Sequence, residues 1–265
     1  MLSHRKPHLG KKIIGDDIHL YLFHCLGHSG RTAEASLRHL LSAEEIARSH
    51  IFLHEADRRQ FVVARGMVRT LLSRYRPEIG ASSWNIHLTK YGRPQIGEES
   101  NLNFNVSHSH GVIAIVIGPY VNIGIDIERH RHHNTIEGIA SEFLTNPERA
   151  EVSTLLPDLR KRRLYDYWCL KEAYVKACGK GLAIPLKQIE FDLSGEDSIS
   201  YSFKEYPEIP SSNWRFWSFS LPSKTSLALA VAEPHERASI EVYNGMPFIS
   251  SHESAQMCRI STAKS

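Results

Sequence analysis

Two long helical segments, about 55–75 and about 160–178, stand on either side of Gly118-Pro119, and each is followed by a strand and then by two hairpin-like strands. The first carries Phe61, Val62, Met67, Val68, Leu71 and Leu72 at core-facing spacing with arginines opposite, and Pro77 and Gly80 end it. The second reads RKRRLYDYWCLKEAYVKAC and stops at Gly179 and Gly181. Helices of this length need an apolar surface to lie on, and strands recurring in the same order supply one twice. The order predicts an α+β fold of two similar lobes, residues 1–118 and 119–235, with a site between the halves, where pockets commonly form. After Pro234 the chain turns Ser-, His- and Glu-rich, and 236–265 reads as a mostly unstructured tail.

Local signals fill in the order. Strands are expected at 17–24, 84–89, 103–109, 112–118 and 122–128, with a turn at Tyr91-Gly92-Arg93-Pro94. A Gly-rich stretch follows the first strand, and Ser42 with Glu45 forms a capping box that opens a helix running into the low fifties. A polar loop, 129–134, leads to helical segments over 136–155, broken at Pro147 and Pro157.

Charge and cysteine usage exclude several classes. Thirty-two Lys and Arg against 29 Asp and Glu leave +3, far from the basic excess of a nucleic-acid binder. Four cysteines without a C-x-x-C pair argue against a disulfide framework or zinc ribbon and for the cytoplasm. The longest apolar run, Val112 to Ile117, is far short of the roughly 20 residues of a membrane helix. Sixteen histidines are an excess, and His130, His132 and His133 form either a polar loop or a transition-metal cluster.

Three constellations carry chemistry. In NIGIDIE (122–128), strand alternation turns Ile123, Ile125 and Ile127 to one face and Gly124, Asp126 and Glu128 to the other. The two carboxylates then stand about 7 Å apart along the strand. Hard oxygen ligands beside a glycine that permits close approach suit Mg²⁺, although a half-buried strand with a wet acidic face has the same pattern. On the second long helix Trp168, Glu172 and Lys176 share a face with Lys171 alongside, which describes either a metal and phosphate site or a surface ion pair. In NVSHS, Ser107 and His108 point to opposite faces, so the motif suits anion binding better than a base-activated serine, or a structural histidine. Most of the basic residues, the arginines at 48, 58, 59, 65 and 69 among them, read as solvated helix faces, and Arg160 to Arg163 as a solvated run or a dock for an acidic partner.

Taken in order, N-V-S-H-S, Gly124-Ile-Asp126-Ile-Glu128 and Trp168-Cys-Leu-Lys171-Glu172-Ala-Tyr-Val-Lys176 resemble the 4′-phosphopantetheinyl transferases of the long, surfactin-synthetase-activating type. The resemblance covers about residues 15–235. It implies a two-lobed α+β pseudo-dimer with a coenzyme A site between the lobes and Mg²⁺ bound there. It also implies transfer of the phosphopantetheine arm to a serine of an apo acyl or peptidyl carrier protein, with release of adenosine 3′,5′-bisphosphate. By the same analogy Asp126, Glu128 and Glu172 hold Mg²⁺ on the pyrophosphate, so that Asp126 belongs to the coenzyme A site as well. Glu172, directly or through a metal-bound water, deprotonates the serine, and Lys176 stabilises or protonates the leaving phosphate. Ser107, His108, Lys171, Arg48, Lys90 and the turn Tyr91-Gly92-Arg93-Pro94 hold the nucleotide's phosphates and adenine.

Some positions depart from the pattern. Glu45 stands where several relatives carry a basic residue, Arg93 replaces the common Lys of the G-K-P turn, and His110 occupies a place where Gly often follows S-H-S. A monomer is expected, because one chain holds both halves that the short trimeric type supplies from separate chains. Two other readings use the same residues: a Mg²⁺-dependent phosphohydrolase, and a non-catalytic module that binds coenzyme A.

Overall fold

A computed structural model describes residues 15–97, 101–130, 135–195, 198–204, 207 and 213–245. In chain order it contains β1 (Ile18–His24), α1 (Gly27–Leu37), α2 (Ala43–Ser49), α3 (Glu55–Tyr75), β2 (His87–Leu88), β3 (Pro94–Gln95), β4 (Asn103–Ser109), β5 (Val112–Gly118) and β6 (Ile123–Arg129). There follow α4 (Thr135–Gly138), α5 (Ala140–Phe143), α6 (Asn146–Thr154), α7 (Pro157–Cys178), β7 (Ile189–Asp192), β8 (Ser200–Phe203), β9 (Trp214–Leu221), β10 (Thr225–Ala232) and β11 (Ile240–Asn244). The protein is α+β, as expected, and divides into two compact units.

Among the described residues the first unit draws on 15–87, 94–97, 101–119 and 237–245. Its sheet runs β11-β1-β5-β4, with β5 antiparallel to both β1 and β4. Val63, Met67, Leu71 and Leu72 of α3 pack with Phe23, Phe104, Ile113 and Ile115 in one core. Burying each such side chain contributes about 1.5–3 kcal/mol before chain entropy is subtracted. Trp84 closes this core and donates from Nε1 to Ser73 Oγ at 2.9 Å, so the strand expected over 84–89 shrinks to two residues.

The second unit draws on Leu88–Arg93 and Tyr120–Glu236. Its antiparallel sheet runs β6-β10-β9, and α7 lies against β6 and β10. The strand order repeats that of the first unit: a first strand, then helices, then a hairpin whose second strand pairs with the first. The expected likeness of the two halves is therefore one of topology.

Several expectations change. The Gly-rich stretch is the helix α1, which buries Gly30, Ala33 and Leu37 on one side. Pro147 and Pro157 open α6 and α7, because proline at the first turn sacrifices only a hydrogen bond the helix would not make. The tail is not unstructured throughout: β11 adds to the outer edge of β1 in parallel, with Ile18 opposite Ile240 and Tyr21 opposite Tyr243. Tyr243 stacks on Tyr21 at 4.8 Å between ring centroids, and the edge amides of β1 gain partners. Residues beyond 245, and His132 and His133, lie outside the described residues.

Candidate active site on the β6–α7 layer

Strand β6 carries out the alternation its sequence dictates. Ile123, Ile125 and Ile127 are fully buried on one face, and Gly124 and Asp126 turn to the face covered by α7. A Cβ at Gly124 would stand 2.1 Å from Ala173 O and 2.3 Å from Ala177 N. The glycine therefore admits a helix, where close approach of a ligand was expected. Ala228 and Ala230 of β10 extend the same flat floor beneath α7.

On that floor Asp126 Oδ1 accepts a hydrogen bond from Lys176 Nζ at 2.6 Å. Burial alone would lower the Lys176 pKa, but the charge and hydrogen bond of Asp126, with Glu172 beside it, outweigh burial and raise it. Glu172 is half-buried four residues earlier. Burial, with the Asp126 and Glu128 carboxylates adding to it and Lys176 opposing, pushes the Glu172 carboxyl up to about 6. The four groups thus share one electrostatic neighbourhood. Trp168 is half-buried and meets Phe143 edge-on at 5.2 Å, so it packs the helix rather than joining the polar group.

Among the described residues no three His, Cys, Asp or Glu side chains converge tightly enough to enclose a metal ion. The carboxylates expected as a ligand set are spread along strand and helix, with Lys176 compensating Asp126. That donor chemistry still fits Mg²⁺, which prefers carboxylate oxygens, keeps several waters and is typically held by one or two carboxylates plus substrate phosphates.

Two residues expected at the coenzyme's phosphates have other partners. Lys171 is fully buried and its ammonium donates to Glu148 Oε1 at 2.9 Å, to Leu186 O at 3.0 Å and to Ile189 O, which uses its three N–H groups. Burial, opposed by Glu148, lowers its pKa. Arg93 donates from Nη1 to Ala177 O at 2.9 Å and from Nη2 to Val121 O at 3.0 Å and Ile123 O at 3.2 Å. It ties the end of α7 to the start of β6, near the left-handed Gly179 that terminates the helix at φ 72°.

The rest of the 90–94 turn keeps a defined shape. Thr89 N donates to Arg93 O at 2.9 Å, Gly92 N to Thr89 O at 2.9 Å, and Gly92 takes φ 82°. Lys90 is exposed and lies over the exposed Tyr91 ring at 4.8 Å, and Pro94 begins β3. In the first unit Ser107 is buried and His108 exposed on β4, on opposite faces as alternation requires. Arg48 lies over the Phe61 ring at 5.9 Å, with Arg65 over the same ring at 5.4 Å.

Glu45 has a structural explanation for its departure from the pattern. It completes the capping box with Ser42 and holds the buried Arg69 at 2.9 Å. Arg59 and Arg69 are buried, not solvated, Arg69 on Glu45 and Arg59 beside Glu34 and Glu55. Three members of the run 160–163 have neighbours within the fold: Arg160 donates to Ser153 O and Leu155 O, Arg163 pairs with Glu151, and the half-exposed Arg162 lies 3.7 Å from Asp166.

Sequence reading missed Glu148. It is buried, accepts from Thr145 N at 2.7 Å and Phe191 N at 2.9 Å, and pairs with Lys171. A Thr-x-x-Glu capping box at 145–148 was the available signal.

The 4′-phosphopantetheinyl transferase superfamily profile matches residues 122–232, the stretch that contains β6, α7 and β10. The 4′-phosphopantetheinyl transferase HetI of Nostoc sp. is 32% identical over 207 residues, covering 73% of this chain and 82% of HetI. The 4′-phosphopantetheinyl transferase Sfp of Bacillus subtilis is 28% identical over 160 residues, covering 60% of this chain and 70% of Sfp. A human L-aminoadipate-semialdehyde dehydrogenase-phosphopantetheinyl transferase is 29% identical over 170 residues, covering 58% and 53% respectively. With a relative matched across four-fifths of its length and the motif residues gathered on one strand and helix, the chain belongs to the 4′-phosphopantetheinyl transferase superfamily.

Proposed function

We propose that this protein transfers the 4′-phosphopantetheine arm of coenzyme A to a serine of an acyl or peptidyl carrier protein and releases adenosine 3′,5′-bisphosphate. The observation that carries the reading is the Lys176–Asp126 pair at 2.6 Å, with Glu172 and Glu128 in its field. Phosphoryl-type transfer asks mainly for positioning and charge neutralisation, and this layer offers carboxylates for a cation and an ammonium for phosphate.

Asp126, Glu128 and Glu172 are the residues that would hold Mg²⁺. When bound, the ion neutralises charge on the pyrophosphate. Glu172, directly or through a water, accepts the serine proton. The serine oxygen forms its bond to the β-phosphorus as the bond to the bridging oxygen of the nucleotide's phosphate breaks. Lys176, held protonated by Asp126, meets the negative charge that collects on that leaving oxygen.

In the first unit, Ser107, His108 and Arg48 are proposed contacts to the nucleotide, together with Lys90 and the main chain of the 90–94 turn. Cys25 and Cys169 are buried free thiols, which supports a cytoplasmic enzyme. Among the described residues no helix is long and apolar enough to cross a membrane. A single chain holds two like units, which supports a monomer.

The test incubates the protein with coenzyme A, Mg²⁺ and a panel of apo carrier proteins and follows carrier mass. Gain of one phosphopantetheine group is expected for at least one carrier. Nucleotide release without carrier protein points instead to a phosphohydrolase, and coenzyme A binding without transfer to any carrier points to a binding module.

A further inference from the structure

Beyond the carboxylates, β6 continues its alternation to His130, whose N–H donates to Lys224 O at 2.8 Å and so extends the pairing with the β10 hairpin by one residue. Gly124, Asp126, Glu128 and His130 fall on one side of the strand at a spacing of two. His130 Nε2 lies 2.8 Å from Ser226 Oγ, and Ser226 Oγ donates to Asp166 Oδ1 at 2.6 Å. The serine hydroxyl has one proton, given to the carboxylate, so His130 Nε2 supplies the proton of the first bond. The imidazole stacks on Tyr165 at 4.4 Å with the planes 9° apart. Ser226 is buried and sits directly across β10 from Glu128 in the sheet register.

Asp166 and Tyr165 belong to α7, one to two turns before Glu172, and Lys176 lies one turn after it. The helix is thus fastened to the strand at two points, Lys176 to Asp126 at one end and Asp166 through Ser226 to His130 at the other. Glu172 on the helix and Glu128 on the strand lie between these fastenings. Like charges on facing elements push strand and helix apart, and an apolar contact at the far end would resist that less directionally than two aligned hydrogen bonds.

We propose that His130, Ser226 and Asp166 are positioning residues, a hydrogen-bonded relay that sets the spacing of α7 from the far end of β6 and so keeps Glu128 and Glu172 within reach of one divalent cation. The inference rests on the transferase reading for the cation's purpose. Its test therefore reads cation binding separately from turnover.

The probe is Mn²⁺, titrated into protein saturated with coenzyme A and followed by electron paramagnetic resonance, with kcat and KM for coenzyme A measured on the same preparations. Supporting ligand orientation from outside the coordination shell typically contributes about 10–100-fold. Ser226→Ala and His130→Ala are therefore expected to weaken Mn²⁺ and lower kcat by about 10-fold or more, with little change of KM at saturating metal. His130→Gln restores most of the loss, because its amide N–H can reach Ser226 Oγ. Wild-type Mn²⁺ affinity in both alanine variants overturns the proposal, as does a loss in His130→Ala that glutamine fails to restore. If the wild-type protein binds Mn²⁺ yet modifies no carrier protein, the transferase reading fails and the relay is still judged on Mn²⁺ affinity.

Discussion

Lys171 and Glu148 form an ion pair at 2.9 Å with both side chains fully enclosed, joining α7 to α6. Glu148 also accepts the Thr145 and Phe191 amides, so the pair satisfies its own desolvation. Removing the cation alone leaves a buried carboxylate without a counter-charge. Lys171→Met should cost about 3–5 kcal/mol in urea unfolding, and Glu148→Gln in the same chain should recover only a minor part of it, because the amide nitrogen cannot accept the Thr145 or Phe191 N–H. Calorimetry on the folded fraction should give an almost unchanged coenzyme A affinity. A large loss of affinity at full stability would return Lys171 to the phosphates.

Gly124→Ala places a methyl group against Ala173 O and Ala177 N, both backbone atoms of α7. The helix must move away from β6, at about 1–3 kcal/mol or more. Glu172 moves with it, so transfer should fall further than stability does. Wild-type melting temperature and rate together would show that α7 does not lie where the structure puts it.

Arg93 serves three main-chain carbonyls through a planar fork. Arg93→Ala should destabilise the protein by about 2 kcal/mol or more, since hydrogen bonds from charged groups contribute about 1.5–3 kcal/mol each. Arg93→Lys keeps the charge but loses the fork, and should recover less than half. Chemical denaturation of the three proteins side by side checks this. Wild-type stability in Arg93→Lys with weakened coenzyme A binding would favour a phosphate contact instead.

Ending the chain before Ile240 removes β11 and opens the edge of β1. Tyr21 loses its stacking partner Tyr243, and the Ser239–Asp17 hydrogen bond at 2.7 Å goes as well if the cut falls at 238. Hydrogen exchange should speed up in β1 first, with a lower melting temperature for the whole chain. Unchanged protection of residues 18–22 would mean that β11 contributes nothing to the sheet.

Asp126→Asn keeps the shape at the Lys176 contact and removes one negative charge. Transfer should fall by about 10²-fold or more, the usual scale for a lost charge-stabilising group. Chelation should stop wild-type transfer and added Mg²⁺ restore it. Persistence of full activity in chelator would exclude the ion from the reaction.

The alternation of β6, the capping box at Ser42 and Glu45, and the core stripe of α3 were legible because each depends on residues a few positions apart. Lys171 and Lys176 mark where that ends. Both belong to one motif and one helix, and spacing alone presents both as cations for phosphate. What separates them is Glu148, 23 residues upstream of Lys171, and Asp126, 50 residues before Lys176. Arg93 gains partners the sequence does not announce for the same reason, since its carbonyl acceptors include one 84 residues away. Strand β11 was hidden because IEVYN is short and lies in a Ser-, His- and Glu-rich stretch, and an edge strand is held largely by backbone pairing that composition does not encode.

The sequence by itself determined the α+β class, the doubled order of elements and the carboxylate-bearing face of β6, because strand and helix periods fix which side chains share a side. Only the tertiary structure decided which charged groups pair within the fold, Lys171 with Glu148 and Arg93 with three main-chain carbonyls, and so hold α7 in place. Burial and distant partners set that pairing, and both come into being only when the chain has folded.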